Sequence, residues 1–224
     1  MSTPARIRVA IADDQELMRS ALAMVVRSQP DLDLVGEVGD GAALVALCLS
    51  HRLDVVLVDV RMPRMDGIEA TRQIVSRPDA PRVIVVTTFD LDEYAFAAIR
   101  AGASGFLLKD ARAEEIVDAI RVVHAGHAVV SPPTTRRLIA HLVAAPTTDD
   151  GEAQRVLEQL TAREQDVFLE VAKGASNAEI AKRLFLSEAT VKTHVGHLLG
   201  KLGLRDRVQA VVLAYESGLV RPGA

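Results

Sequence analysis

Between residues 1 and 124, short apolar runs rich in Val and Ile alternate with stretches that repeat apolar residues every three to four positions. This alternation constrains the fold more than any other feature of the chain. A strand that is apolar on both faces must be covered on both, and parallel strands need crossover helices to supply that cover. Five such strands are expected, at Ile7–Ala12, Leu34–Val38, Asp54–Asp59, Arg82–Thr87 and Gly105–Leu108. Amphipathic stretches at Glu16–Ser28, Gly41–His51, Leu91–Ala101 and Arg112–His124 fit the intervening and following helices. The fold class that follows is α/β, a doubly wound five-stranded parallel sheet, with a second, smaller all-α domain after it.

In such a sheet the working crevice lies beyond the carboxyl ends of the strands. Those ends carry Asp13 and Asp14 after the first strand, Asp59 at the end of the third, Thr87 at the end of the fourth and Lys109 just after the fifth. Three converging carboxylates repel one another unless a cation joins them, and oxygen-only ligands of high charge suit Mg²⁺. Lys109 supplies a further positive charge for a transferring phosphoryl group, and the Thr87 hydroxyl is placed to donate to a phosphate oxygen. The chemistry expected is phosphoryl transfer onto a carboxylate. Each residue taken singly has a plainer reading: Asp13 and Asp14 as caps of the helix at Glu16, Asp59 as the start of a turn, Lys109 as a solvated charge. Five matching residues at successive strand ends favour the chemical reading. Met62-Pro63 and Asp66-Gly67 are read structurally, as a turn followed by a helix cap.

Past His124 the pattern becomes helical throughout. Ser131-Pro132-Pro133 opens one expected helix, since proline is tolerated in a first turn. Ala145–Gly151, APTTDDG, has no apolar period and reads as a linker. Thr161-x-x-Glu164 and Ser176-x-x-Glu179 are capping boxes, and Ser187 is an N-cap for a third helix. Gly174 separates the first two of these helices, Phe185-Leu186 forms a tight turn before the third, and a fourth runs from about Asp206 to Ser217. That is the order of a helix-turn-helix. The third helix, Glu188–Leu202, puts Val191, Val195, Leu198 and Leu202 on one face. Lys192, Thr193, Gly196 and Gly200 fall on another, with Lys201 near the end, a thin polar surface suited to the major groove. Ser176 and Asn177, at a preceding helix start, are placed to anchor phosphate. The expected division is 1–126, then a connecting helix and linker over 127–156, then 157–224.

Charge separates along the same line. Residues 1–130 hold 14 Lys/Arg against 19 Asp/Glu, whereas residues 174–224 hold 7 against 4. An excess of three positive charges is a weak footprint for nucleic acid, and by itself would favour an ordinary solvated helix face. No apolar run approaches a membrane span, and the start MSTPARIRVA passes into a strand without a signal-peptide core, so a cytoplasmic protein with no membrane partner is expected. Cys48, the single cysteine, lies in an apolar helical stretch and reads as core filler. His51, His124, His127 and His141 show no metal-ligand spacing.

Residues 6–124 resemble the receiver domain of two-component response regulators, a flavodoxin-like fold. The resemblance is carried by Asp13-Asp14, by Asp59 in DVRMPRMDG, by Thr87 in VVTTFD and by Lys109 in GASGFLLKD. It implies that Asp59 takes a phosphoryl group from a sensor histidine kinase. It also implies that Asp14 and Asp59, with the backbone carbonyl of Arg61, bind Mg²⁺ while Asp13 acts through water, and that Phe106 is the switch aromatic. One position departs: Asp110 follows Lys109 where receivers at large carry proline.

Residues 160–212, through LTAREQDVFLEVAKG and SNAEIAKRLFLSEATVKTHVGHLLGKLG, are similar to the LuxR-type helix-turn-helix of the NarL/FixJ subfamily. That resemblance implies a recognition helix with Lys192, Thr193 and Gly196 at base-contacting positions, and Ser176, Asn177, Ser187, Thr190, His197 and Lys201 among the DNA-facing residues. It further implies a homodimer on two promoter half-sites. Gly196 departs from members with a long polar side chain there. The function implied is a transcriptional regulator, an acceptor with at most an autophosphatase activity. Two rivals are a Mg²⁺-dependent phosphohydrolase using Asp59 and a DNA-binding protein whose receiver works unphosphorylated. Against the first, there is no cap domain and no P-loop, since Gly200-Lys201 lacks the glycine five residues before Gly200.

Overall fold

A computed structural model of the chain describes residues 6–88, 92–126, 129–130 and 150–220. The chain divides into two compact units, residues 1–134 and 135–224. In the first unit, β1 (Ile7–Ala12), β2 (Leu32–Val38), β3 (Val55–Val58), β4 (Arg82–Thr87) and β5 (Gly105–Leu108) form a parallel sheet ordered β2-β1-β3-β4-β5. These are the five strands expected, and a two-residue sixth, β6 (Val129–Val130), pairs with the outer edge of β5. The helices are α1 (Glu16–Arg27), α2 (Gly41–Ser50), α3 (Gly67–Val75), α4 (Asp92–Arg100) and α5 (Ala113–His124).

The period of two along each strand sorts the core into two halves. Val9, Ile11, Val55, Leu57, Ile84 and Val86 face one side and are covered by Leu22, Ala23 and Val26 of α1 and Ile116, Ile120 and Val123 of α5. Their neighbours Ala10, Ala12, Val56, Val58, Val83 and Val85 face the other, under Leu44 and Cys48 of α2, Ile74 of α3 and Ala98 of α4. Cys48 is buried, and burial pushes its thiol up to about 11, which fits a packing role. The strand order reverses at β1 and β3. A crevice therefore opens at their carboxyl ends, between Asp13 and Asp59.

The second unit contains α6 (Asp150–Glu158), α7 (Ala162–Ala172), α8 (Asn177–Leu184), α9 (Glu188–Lys201) and α10 (Arg207–Glu216). Both expected capping boxes are formed, at Thr161 with Glu164 and at Ser176 with Glu179, and Ser187 and Asp206 cap α9 and α10. Phe185 ends α8 in the left-handed region at φ 53, and Gly174 lies at φ 80. The core joins Val167, Phe168 and Val171 of α7 to Ile180, Val191, Leu198 and Ala210. Helix α6 departs from the sequence reading: the linker expected at Ala145–Gly151 runs into it at its last two residues. Val156 and Leu160, four apart, are buried in this core, and that pair outweighs the turn formers ahead of it. The helix expected after Ser131, and most of the linker, lie outside the described residues. No helix among the described residues is long and apolar enough to cross a membrane.

Candidate functional site

Four of the five residues expected in the crevice are held by the sheet at the last paired residue of a strand or just beyond it. The Asp59 amide donates to Ala12 O at 2.8 Å, the Asp13 amide to Val38 O at 3.1 Å and the Lys109 amide to Thr87 O at 2.8 Å. Ladder hydrogen bonds thus fix the backbone of all four. Asp13, Asp59, Thr87 and Lys109 are 1%, 4%, 0% and 9% exposed, whereas Asp14 is open to solvent. Lys109 Nζ lies 2.6 Å from Asp13 Oδ2 and 3.0 Å from Asp59 Oδ2. One carboxylate oxygen from each of Asp13, Asp14 and Asp59 lies within 4.8 Å of the others.

Electrostatically, the site is under-compensated. Burial pushes the Asp59 carboxyl above its ordinary range, Lys109 pulls it back, and the Asp13 charge pushes it up again. Asp13 Oδ1 accepts the Gln15 amide at 2.9 Å. Asp13 Oδ2 is buried against the Lys109 ammonium at 2.6 Å, so two buried carboxylates share one cation. Hard oxygen donors, three converging carboxylates against one ammonium and an exposed flank at Asp14 fit a hydrated divalent cation of the Mg²⁺ class. The Arg61 side chain points elsewhere: its guanidinium donates to Tyr94 Oη at 3.2 Å and lies 5.8 Å from the ring centre. The two flank a cleft of about 470 Å³ that Asp14 and Met62 also line. Phe106 is 1% exposed, packed inward in the sheet face that carries Val58.

One residue of the site was read from sequence only as part of a helix cap. Asp66 does cap α3, accepting the Glu69 amide at 2.8 Å, but Gly67 has a second reason to be glycine. A Cβ there would sit 1.9 Å from the carbonyl oxygen of Asp59 itself. Gly67→Ala must therefore displace either α3 or the Asp59 backbone, and is expected to lower stability by about 3 kcal/mol or more. Urea unfolding of the metal-free protein measures this; a loss below about 1 kcal/mol would show that the approach is not needed.

On α9, the residues expected to face DNA divide into two groups. Thr190, Lys192, Thr193, Gly196 and His197 are exposed, while Val191 and Leu198 are buried beneath them. No carboxylate among the described residues pairs with Lys192, and open space surrounds the Cα of Gly196. Ser187 and Ser176 are exposed caps. Asn177 is half-buried, its Oδ1 accepting from Arg207 at 3.0 Å. Lys201 is exposed, with its ammonium donating to the buried Glu164 at 2.6 Å.

That ion pair and the amide of Thr161 hold the Glu164 carboxyl down to about 2, from an ordinary 4.5. A depressed carboxylate stabilises the native state above its unfolded value, and this contribution is lost as pH falls from 4.5 toward 2. Glu164→Gln is expected to remove about 1–2 kcal/mol at neutral pH, since solvent screens the partly exposed Lys201, and to flatten the acid limb of second-unit unfolding. Calorimetry of the whole chain between pH 7 and 3 tests this.

Comparison with known proteins agrees with this anatomy. Residues 9–121 match the response regulator receiver domain, and residues 158–214 match the bacterial regulatory proteins of the luxR family. The chain is 44% identical to the transcriptional regulatory protein YxjL of Bacillus subtilis (strain 168), over 96% of this chain and 98% of that one. It is 40% identical to the transcriptional regulatory protein LiaR of the same strain, over 96% and 99%. A crystal structure of ChrA, the response regulator of a heme-sensing two-component system, superposes with a TM-score of 0.52 at 34% identity, covering 96% of this chain and all of that one. The fold and the site define a receiver joined to a LuxR-type DNA-binding domain. The chain belongs to the response regulators of two-component systems, as a transcriptional regulator of the LuxR type.

Proposed function

We propose that this chain is a cytoplasmic regulator switched by phosphorylation of Asp59. In this reading residues 1–126 are the receiver, 127–156 connect, and 157–224 bind DNA. The observation that carries it is the buried Asp59 carboxylate, 3.0 Å from the Lys109 ammonium inside an acidic cluster. Asp14, Asp59 and the backbone carbonyl of Arg61 would hold Mg²⁺, with Asp13 acting through water. When bound, that ion neutralises charge on the transferring phosphoryl group.

The chain's own residues do the rest. An oxygen of Asp59 attacks the phosphorus of a kinase phosphohistidine, the P–N bond breaks, and the departing imidazole nitrogen takes up a proton. Lys109 leaves its partner Asp59 for the incoming phosphoryl oxygens, and the Thr87 hydroxyl donates to another of them. Phe106 packs behind Thr87 as it moves. Hydrolysis of the acyl phosphate returns Asp59 to its resting state and is the only turnover expected of the chain.

Phosphorylation then favours a conformation that frees α9 or promotes a homodimer, which grips two half-sites of double-stranded DNA with Lys192, Thr193 and Gly196 over the bases. Moving that equilibrium from 1:99 to 99:1 requires about 5.5 kcal/mol of preference for the active state. Incubation with acetyl phosphate and Mg²⁺, followed by intact-mass measurement, should add one phosphoryl group to the wild type and none to Asp59→Asn. An unmodified Asp59 would sink the proposal. Footprinting of the modified protein separates the switch from a receiver that works unphosphorylated, for which DNA affinity stays unchanged.

A further inference from the structure

The loop that leaves β3 after Asp59 must bring the Arg61 backbone to the site, and its course is set by contacts at both ends. At its far end the Gly67 amide donates to Val60 O at 2.8 Å, closing residues 60–67 into a loop beside α3. In its middle Met65 O accepts the amide of Gly41, the first residue of α2, at 3.2 Å. A Cβ on Gly41 would lie 2.6 Å from that oxygen, so the approach of α2 to the loop depends on glycine.

Between these contacts stands Arg64, at φ 66 in the left-handed region. Glycine would make this turn without strain, whereas a residue with a Cβ is strained there. The Arg64 guanidinium reaches Asp40, whose carboxylate is buried and also caps α2 by accepting the Ala43 amide at 2.9 Å. A mostly exposed arginine thus neutralises a buried carboxylate that has no reason to be charged for capping alone, since Asn caps equally well. The strained backbone is tolerated for the contact its side chain makes.

We infer that Arg64 and Asp40 form a latch that positions the acceptor loop, and with it the Arg61 carbonyl, for cation and phosphoryl binding. The inference rests on the acceptor reading of Asp59. Neither residue touches the reacting atoms; both act through the loop backbone, as the outer groups that orient metal ligands do.

The test compares full-length wild type with Arg64→Ala, Arg64→Lys, Arg64→Gly and Asp40→Asn. Mg²⁺ affinity by calorimetric titration, hydrogen exchange of residues 60–67 in the metal-free protein, and uptake of phosphoryl from acetyl phosphate are followed together. Arg64→Ala and Asp40→Asn are expected to weaken Mg²⁺ about tenfold and to speed exchange in the loop. Arg64→Lys should recover most of both, and Arg64→Gly, free of strain but without the pair, should behave as Arg64→Ala does. If Arg64→Ala fails to fold, Asp40→Asn and Arg64→Lys carry the same comparison. Wild-type Mg²⁺ affinity and loop exchange in Arg64→Ala and Asp40→Asn would overturn the latch while leaving the acceptor reading intact. A wild type that takes up neither Mg²⁺ nor phosphoryl overturns the acceptor reading, and the latch with it.

Discussion

Lys109→Ala is expected to be strongly damaging in the first unit, lowering its metal-free stability by about 3–5 kcal/mol. The ammonium lies 2.6 Å from Asp13 and 3.0 Å from Asp59, both buried, and its removal leaves two like charges facing each other without compensation. Asp59→Asn should act in the opposite direction. Asp59 titrates above its ordinary 3.8 because burial and Asp13 disfavour its charge. Such a group binds a proton more tightly folded than unfolded, so metal-free stability falls as pH rises from 3.8 through the folded value. Asn carries no such penalty and is expected to raise the metal-free midpoint while abolishing phosphoryl uptake. Chemical denaturation in chelator at pH 5 and pH 8 resolves the two. If Asp59→Asn were as destabilising as Lys109→Ala, the carboxylate would be a structural partner of the lysine rather than an acceptor held ready at the expense of stability.

Much of this site is legible in the sequence because its members are local in a particular sense. Asp13, Asp59, Thr87 and Lys109 each stand at or just past the end of an apolar run, and a parallel sheet brings all such ends to one edge. Two rules, strand recognition and the position of the crevice, therefore suffice to assemble them. Gly67 escapes those rules: its cap reading is correct, yet only the folded backbone reveals that α3 starts against the Asp59 carbonyl. The Arg64–Asp40 pair is hidden for the same reason, since 24 residues separate its members and no periodicity joins them. Lys201 shows the limit from the other side. Helical spacing puts it near the DNA-facing surface, but does not reveal its ion pair with the buried Glu164, 37 residues earlier. Helix spacing gives the direction of a side chain and is silent about what lies beneath it.

On the proposed DNA-facing surface Lys192, Thr193, Gly196 and His197 stand exposed along α9. Gly196 is the position where stability and function are expected to separate most clearly. A methyl group there meets nothing within 4 Å in the free protein, so the left-over effect is helix propensity. Gly196→Ala should stabilise the second unit by about 1 kcal/mol, a shift of roughly 4–8 °C in its melting by calorimetry of the whole chain. The same methyl group occupies space where the helix meets the groove. If Gly196 is present to let the backbone approach DNA closely, Gly196→Ala should weaken operator binding about tenfold while making the protein more stable. Lys192→Ala should cost about 1–3 kcal/mol of binding and relax preference at one base pair, without altering melting. Anisotropy titrations against operator and scrambled DNA at two salt concentrations distinguish base reading from phosphate contact, because a phosphate contact weakens both DNAs alike and lowers the salt slope by about one. Unchanged operator affinity in Gly196→Ala would mean that the glycine is not there for close approach, and that the groove is read from Lys192 and Thr193 alone.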